Sequence, residues 1–224
     1  MCATATLEVP RPGMAAWLAG LPLALGALVY SAVLFTPPLL GDGDTYWHVT
    51  SGAWMLAHRA VPHADPFSYT AYGQPWTAHE WLSEVMMGLA YRGGGWTGVV
   101  VLFAGAAALA TALMARHLGR FLDTGPALLM TLLAAGTVAP SLLARPHLLA
   151  LPVMEVWTAW LMIARFESRP PPFAMIALME LWANLHGSFM AGLALTALVA
   201  VEAAVEDLIP TALIPDRCPG AFRD

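Results

Sequence analysis

Two aspartates, Asp42 and Asp44, stand two residues apart in the run GDGDTYWH. In an extended stretch, side chains at i and i+2 point the same way. Two carboxylates so placed suit a hard divalent cation such as Mg²⁺ or Mn²⁺, which takes oxygen ligands. One of them could instead serve as general base toward an acceptor. Glycine and aspartate are also turn formers, so the same residues read as a plain turn. Spacing alone leaves these readings open. His48, His58, His63 and His79 follow in the same segment, in no tight zinc-ligand pattern. A lone loop histidine is more often a solvated or capping residue than a ligand. His79-Glu80 opens like HExxH, but Ser83 stands where the second histidine belongs, which rules against a metalloprotease. Asp65-Pro66 and Tyr72-Gly73 read as turns.

A second group of polar residues lies in otherwise apolar sequence, where ionisable groups are costly and mark candidate functional positions. Arg145 and His147 bracket Pro146. An arginine there could hold a lipid phosphate by paired hydrogen bonds, or it could be a boundary residue snorkelling to water. Glu155 lies eight residues beyond His147, about 12 Å deeper along a helix. Glu180, Asn184 and Gly187 follow helical spacing and share one face, with His186 off it. The competing reading for Asn184 and His186 is interhelical hydrogen bonding, with Gly187 permitting close helix approach.

The elements that must position these residues are membrane helices. Of the 224 residues, 58% are hydrophobic and 11% charged, against about 25% charged in soluble domains. The net charge of −5 offers no basic surface for nucleic acid. Cys2 and Cys218 form no ligand pair. The first apolar run exceeds a ~7–15-residue signal-peptide core and lacks a cleavage site, so it reads as a retained anchor. Spans of about 20 apolar residues are expected at Met14–Leu39, Trp96–Ala115, Pro126–Leu143, Leu148–Ala164 and Phe173–Val201. Pro152 would then fall in the first turn of the fourth, where a missing N–H is harmless. The expected fold is an all-α membrane protein with about five transmembrane helices. Residues 1–13 form a cytoplasmic N-terminus, 14–201 the membrane domain and 202–224 a polar tail.

Between the first two spans, His79–Arg92 carries Trp81, Leu82, Val85, Met86, Leu89 and Ala90 on one helical stripe, and Gly93-Gly94-Gly95 ends it. It is too short to span easily and reads as an interfacial helix; the alternative is that it begins the second span. Arg11, Arg116, Arg120, Arg165 and Arg169 fall on one side of alternating spans. The positive-inside rule makes that side cytoplasmic, so loop 41–80 faces outward from a plasma membrane. A loop that long is usually functional.

The runs GDGDTYWHVTSGAWML and VPHADPFSYTAYGQPWTAHEWLSEV, followed by LLARPHLLALP and ELWANLHGSFMAGL, resemble bacterial membrane glycosyltransferase-like proteins of the GT-C superfamily. The resemblance extends from about residue 14 to 200 and is most specific in the loop. It implies a helix bundle whose first external loop packs helices flat on the membrane. It implies a polyprenyl-phosphate-linked sugar as donor, transfer to an acceptor at the outer face, usually with inversion, and an acidic loop residue as base or metal ligand. Carried onto this sequence, that places the chemistry at Asp42 and Asp44, with Asp44 preferred as base. Members of the superfamily have more spans, and often a soluble C-terminal domain. The resemblance therefore also implies a truncated product, a fragment, or one half of a split protein completed by a second chain.

Two expectations follow. A glycosyltransferase would gather Asp42, Asp44 and Arg145 around one outward-facing cavity. Arg145 and His147 would meet the donor phosphate, and His48, His79 and Glu80 would shape the acceptor side. A non-enzymatic scaffold or transport subunit would instead show a polar path through Glu155 and Glu180 toward the cytoplasm.

Overall fold

A computed structural model describes residues 14–208, with side chains from residue 20 onward except those of Pro37 and Asp207. The expectations for residues 1–13, Cys2, Arg11, Cys218 and the tail beyond residue 208 lie outside the described residues. The described chain is all-α. Seven helices run in order: α1 (Met14–Leu34), α2 (Gly43–His58), α3 (Trp81–Leu118), α4 (Thr124–Val138), α5 (Pro146–Phe166), α6 (Ala174–Leu185) and α7 (Phe189–Leu208). Single 3₁₀ turns at Pro37–Leu40 and Ala139–Ser141 follow α1 and α4. Four segments are long and apolar enough to cross a membrane: Trp81–Leu118, Thr124–Ser141, Pro146–Phe166 and Phe189–Glu206. This is a multi-pass helical membrane protein.

The expected fifth span is not one helix. His186 adopts an extended backbone (φ −165°, ψ 146°) that stops α6, and α7 restarts at Phe189. Two helices in a hairpin replace it. The rising helix ends beside the start of α3, where the Ser83 hydroxyl donates to the Leu185 carbonyl at 2.8 Å. The descending helix ends beside Arg165, which pairs with Glu202 and Glu206. Gly187 therefore lies in the turn and off the helix face assigned to it. A Cβ there would meet nothing, so it is no close-approach position. Gly192 is one: a Cβ there would collide with the Trp182 ring. Trp157 donates to the Gly192 carbonyl at 3.2 Å, so α5, α6 and α7 meet at a core formed by Trp157 and Trp182.

The segment after residue 80 begins α3 and is also a distinct arm. Gly94 and Gly95 break the helical dihedrals, Gly95 at φ 58° and ψ −145°, a region that is nearly glycine-only. Residues 81–93 form the arm and 96–118 the spanning half. The bend folds so tightly that a Cβ on Gly98 would overlap the Ala90 carbonyl. The arm packs on α2, and no side chain fits at their crossing: a Cβ on Gly52 would overlap the Glu84 carbonyl.

Two helix starts also differ from expectation. α5 begins at Pro146, two residues early, because proline suits the first helical position. Pro152 is thus interior to α5, not in its first turn. Within the long loop, residues from Gly43 onward are helical, so Asp44 is not in an extended stretch.

The main core joins Val33, Leu39, Val49, Met87, Val99, Phe103 and Leu148, from α1, the 3₁₀ turn, α2, α3 and α5. Between α1, α3, α4 and α5 lies a cleft of about 610 Å³. Of its polar side chains, Thr36, Thr111, Thr131 and Thr137 each donate to a carbonyl of their own helix or turn. That leaves Glu155 as the one lining group without a hydrogen-bond partner among the described residues.

Candidate functional site

The site forms where the loop after α1 meets the start of α5. Proline disfavours helical dihedrals in the residue before it, and Arg145 is accordingly extended (φ −122°, ψ 155°) as N-cap of α5. The preceding Ala144 donates its N–H to the Leu39 carbonyl at 2.8 Å. This bond lays the segment before α5 against the 3₁₀ turn that leads into Asp42. Asp42 is the N-cap of α2, accepting the Asp44 N–H at 3.1 Å through Oδ1. Its Oδ2 accepts from Arg145 Nε. Asp44, in the first turn of α2, forms an ion pair with Arg145, Oδ2 to Nη2 at 2.8 Å.

Both aspartates thus converge on one guanidinium, though not by extended-strand alternation. An N-cap carboxylate and one in the first helical turn flank the same positive helix end. Their exposures differ and divide their roles: Asp42 is 14% exposed and Asp44 60%. The Arg145 hydrogen bond, and next the Asp44 amide, hold the Asp42 carboxyl below its usual range. The same pair raises Arg145. Arginine has five N–H donors; Nε and Nη2 face the aspartates, and Nη1 has no partner among the described residues. The donor set does not fit a divalent cation here, because both carboxylates are turned onto the guanidinium. No group of three or more His, Cys, Asp or Glu among the described residues is placed to hold a metal ion.

A second polar cluster adjoins the first. Glu80 and Glu84, one turn apart at the start of the α3 arm, each meet a histidine from a different element. His48 on α2 lies 3.1 Å from Glu84. His186, in the turn between α6 and α7, lies 3.3 Å from Glu80, and His79 lies 3.7 Å from it. His186 Nδ1 accepts the Ser188 N–H at 3.0 Å. That assigns its proton to Nε2, the nitrogen that faces Glu80 Oε1. His147 pairs through Nε2 with the Ser141 carbonyl at 3.0 Å. Its Nδ1 is therefore the acceptor nitrogen, and its ring lies 6.0 Å from that of His186.

The fold therefore gathers Asp42, Asp44, Arg145, His147, His48, His79, Glu80 and His186 at one end of the bundle. Asn184 joins them structurally, accepting from Trp81 Nε1 at 2.5 Å. It also donates to Glu180 Oε1 at 3.2 Å, on an exposed part of α6. Glu155 stands apart, between the cleft and a smaller cavity of about 100 Å³ beside Arg116, His117 and Arg120. His58 stacks on Trp54 at 4.1 Å and His63 is exposed; neither joins the site.

Ser83 and Glu84 do not belong to the apolar stripe of the arm, yet they are 0% and 3% exposed. The face that carries them is covered by α2 and by the tip of α6. The one sequence signal was the i, i+4 spacing of Glu80 and Glu84. Farther along the loop, Asp65 accepts from the N–H groups of Phe67 and Ser68, and Gly73 has φ 77°; both expected turns are present. Phe67 and Trp76 pack on Trp47 of α2, which fixes the loop beside the helix bearing Asp44.

Fold and site together define a multi-pass helical protein with an aspartate–arginine centre at one end. No protein-family model, curated protein or solved structure matches the chain.

Proposed function

We propose that the chain is a membrane glycosyltransferase of GT-C type, or part of one. It moves a sugar from a polyprenyl-phosphate donor to an acceptor hydroxyl at the outer face of the plasma membrane. The observation that carries this reading is the convergence of Asp42 and Asp44 on Arg145, residues 103 apart in the case of Asp42 and Arg145.

Asp44 is the base. It is the more exposed carboxylate, and only its Oδ2 is engaged. Asp42 is held by its cap and its ion pair and acts as an anchor. The acceptor oxygen forms a bond to the sugar C1 as the C1–O bond to the phosphate breaks. The acceptor proton passes to Asp44, and the phosphate leaves toward the Nη1 edge of Arg145; His147, whose Nε2 faces the Ser141 carbonyl, offers it no free N–H. Attack opposite the leaving group inverts C1. His48, His79 and Glu80 lie on the acceptor side. No step requires a metal.

The cleft supports a lipid-linked donor. It is lined by Thr36 and Leu142 but not by Asp42, Asp44 or Arg145, which line neither described cavity, so the expected gathering of the three around one cavity is not met. Its threonine hydroxyls are satisfied internally. A hydrocarbon chain therefore meets an essentially apolar wall there. Arg116, Arg120, Arg165 and Arg169 cluster at the opposite end, the cytoplasmic one by the positive-inside rule. The arm at 81–93 then lies near the outer interface, with Trp81 and Tyr91 at headgroup level.

A transport or scaffold subunit is the second reading, favoured by the position of Glu155 between two cavities. Its expected path lacks Glu180, which lines neither cavity. The test is sugar transfer in membranes supplied with polyprenyl-phosphate sugars, comparing wild type with Asp44→Asn. Loss of a general base lowers the rate about 10²–10⁴-fold. Undiminished transfer by Asp44→Asn would remove the role given to Asp44. Absence of transfer by the wild type would leave either a partial enzyme that needs a second chain or the non-enzymatic reading.

A further inference from the structure

We propose that Arg145 is the resident cation of the acidic centre, standing where a divalent metal would otherwise bridge Asp42 and Asp44. Two carboxylate oxygens, Asp42 Oδ2 and Asp44 Oδ2, converge on one guanidinium. Mg²⁺ and Mn²⁺ sites are commonly built from one or two carboxylates with several retained waters. With the guanidinium gone, Asp42 Oδ2 and Asp44 Oδ2 would be freed as two such oxygens, and Asp44, 60% exposed, would admit water. The guanidinium takes the place of the ion.

The arrangement is fixed from both sides. Asp42 is held in register as the cap of α2, and Arg145 is extended because Pro146 follows it. The Ala144–Leu39 bond ties the two backbones together. Arginine stays charged at every accessible pH, so this cation cannot be lost by titration or exchange. Without it, Asp42 Oδ2 and Asp44 Oδ2 would both lose the cation they now contact, and such a pair of carboxylate oxygens suits a hard divalent ion.

The inference concerns cation binding and does not rest on sugar transfer. Its test is Mn²⁺ binding to the purified full chain in detergent, read from loss of the free-ion paramagnetic resonance signal. Wild type, Arg145→Gln, Arg145→Lys and Asp42→Asn/Arg145→Gln are compared. Arg145→Gln is expected to bind one Mn²⁺ at least about tenfold more tightly than wild type, or about 1.4 kcal/mol. Arg145→Lys keeps a positive charge and is expected to match wild type. The double variant loses one of the two ligands and is expected to return to the wild-type level. Equal Mn²⁺ affinity in wild type and Arg145→Gln would overturn the proposal, since the ion would then join the arginine instead of replacing it. If Arg145→Gln does not fold in metal-free buffer, Mn²⁺ during purification is expected to recover it. Failure of that recovery overturns the proposal equally.

Discussion

The His48 imidazole and the Glu84 carboxylate meet at 3.1 Å across the α2–α3 arm interface, with side chains 12% and 4% exposed. Among the described residues, Glu84 Oε2 has no hydrogen-bond partner and His48 is the one side chain that answers this carboxylate. Removing one member of a buried pair is worse than removing both, because it strands the other. His48→Ala is expected to destabilise the fold by about 3 kcal/mol. Replacing both, as His48→Phe/Glu84→Leu, is expected to recover most of that loss. Chemical denaturation in detergent checks the order; a double variant weaker than His48→Ala would contradict it.

The α2–α3 arm crossing has no space for a methyl group. Gly52→Ala would drive a Cβ into the Glu84 carbonyl, and Gly88→Ala one into the Gly52 backbone. Because backbone cannot rotate aside, each is expected to cost about 1–3 kcal/mol or more. Gly43→Ala has open space and serves as control. Melting temperatures of the three variants decide it, and a harmless Gly52→Ala would show that the two helices are not so closely apposed.

The bend at Gly95 requires a conformation that L-residues avoid. Gly95→Ala is expected to destabilise by about 1–3 kcal/mol, while Gly93→Ala, with open space and ordinary dihedrals, is not. Should the arm straighten instead, a spin-label pair on the arm and on α2 would report an increased separation.

Acid should loosen the Asp42–Arg145 tie. The folded-state pKa of Asp42 lies below its usual 3.8. The unfolded chain therefore binds its proton first as pH falls, and stability drops from about pH 3.8 downward through the folded value. Asp42→Asn removes that dependence, keeps a capping side chain and loses the ion pair. Asp42→Ala loses the cap as well and is expected to melt lower. Melting curves of all three proteins between neutral and acid pH test both statements. An unchanged acid dependence in Asp42→Asn would assign it to another group.

Much of the architecture was readable from patterning. Long apolar runs, an apolar stripe at 3.6 spacing and glycines after residue 92 were enough for an all-α membrane protein with a separate arm before its second span. The Phe173–Val201 run misled because hydropathy measures whether a segment is apolar, not whether its backbone continues. The break at His186 is invisible to it. At that break the imidazole accepts the Ser188 amide and lies 3.3 Å from Glu80, contacts that only the tertiary structure brings together.

The sequence by itself determined the class of element, the candidate acids, and the arginine that could answer them, because these depend on residue type and local period. Only the tertiary structure decided that Asp42 and Asp44 converge on Arg145. That required a cap at α2, an extended residue before Pro146 and the Ala144–Leu39 bond, three events at distant positions in the chain. It also decided that Glu84 is buried. Burial depends on what packs against a face, and the covering elements, α2 and the α6–α7 hairpin, come from distant parts of the chain.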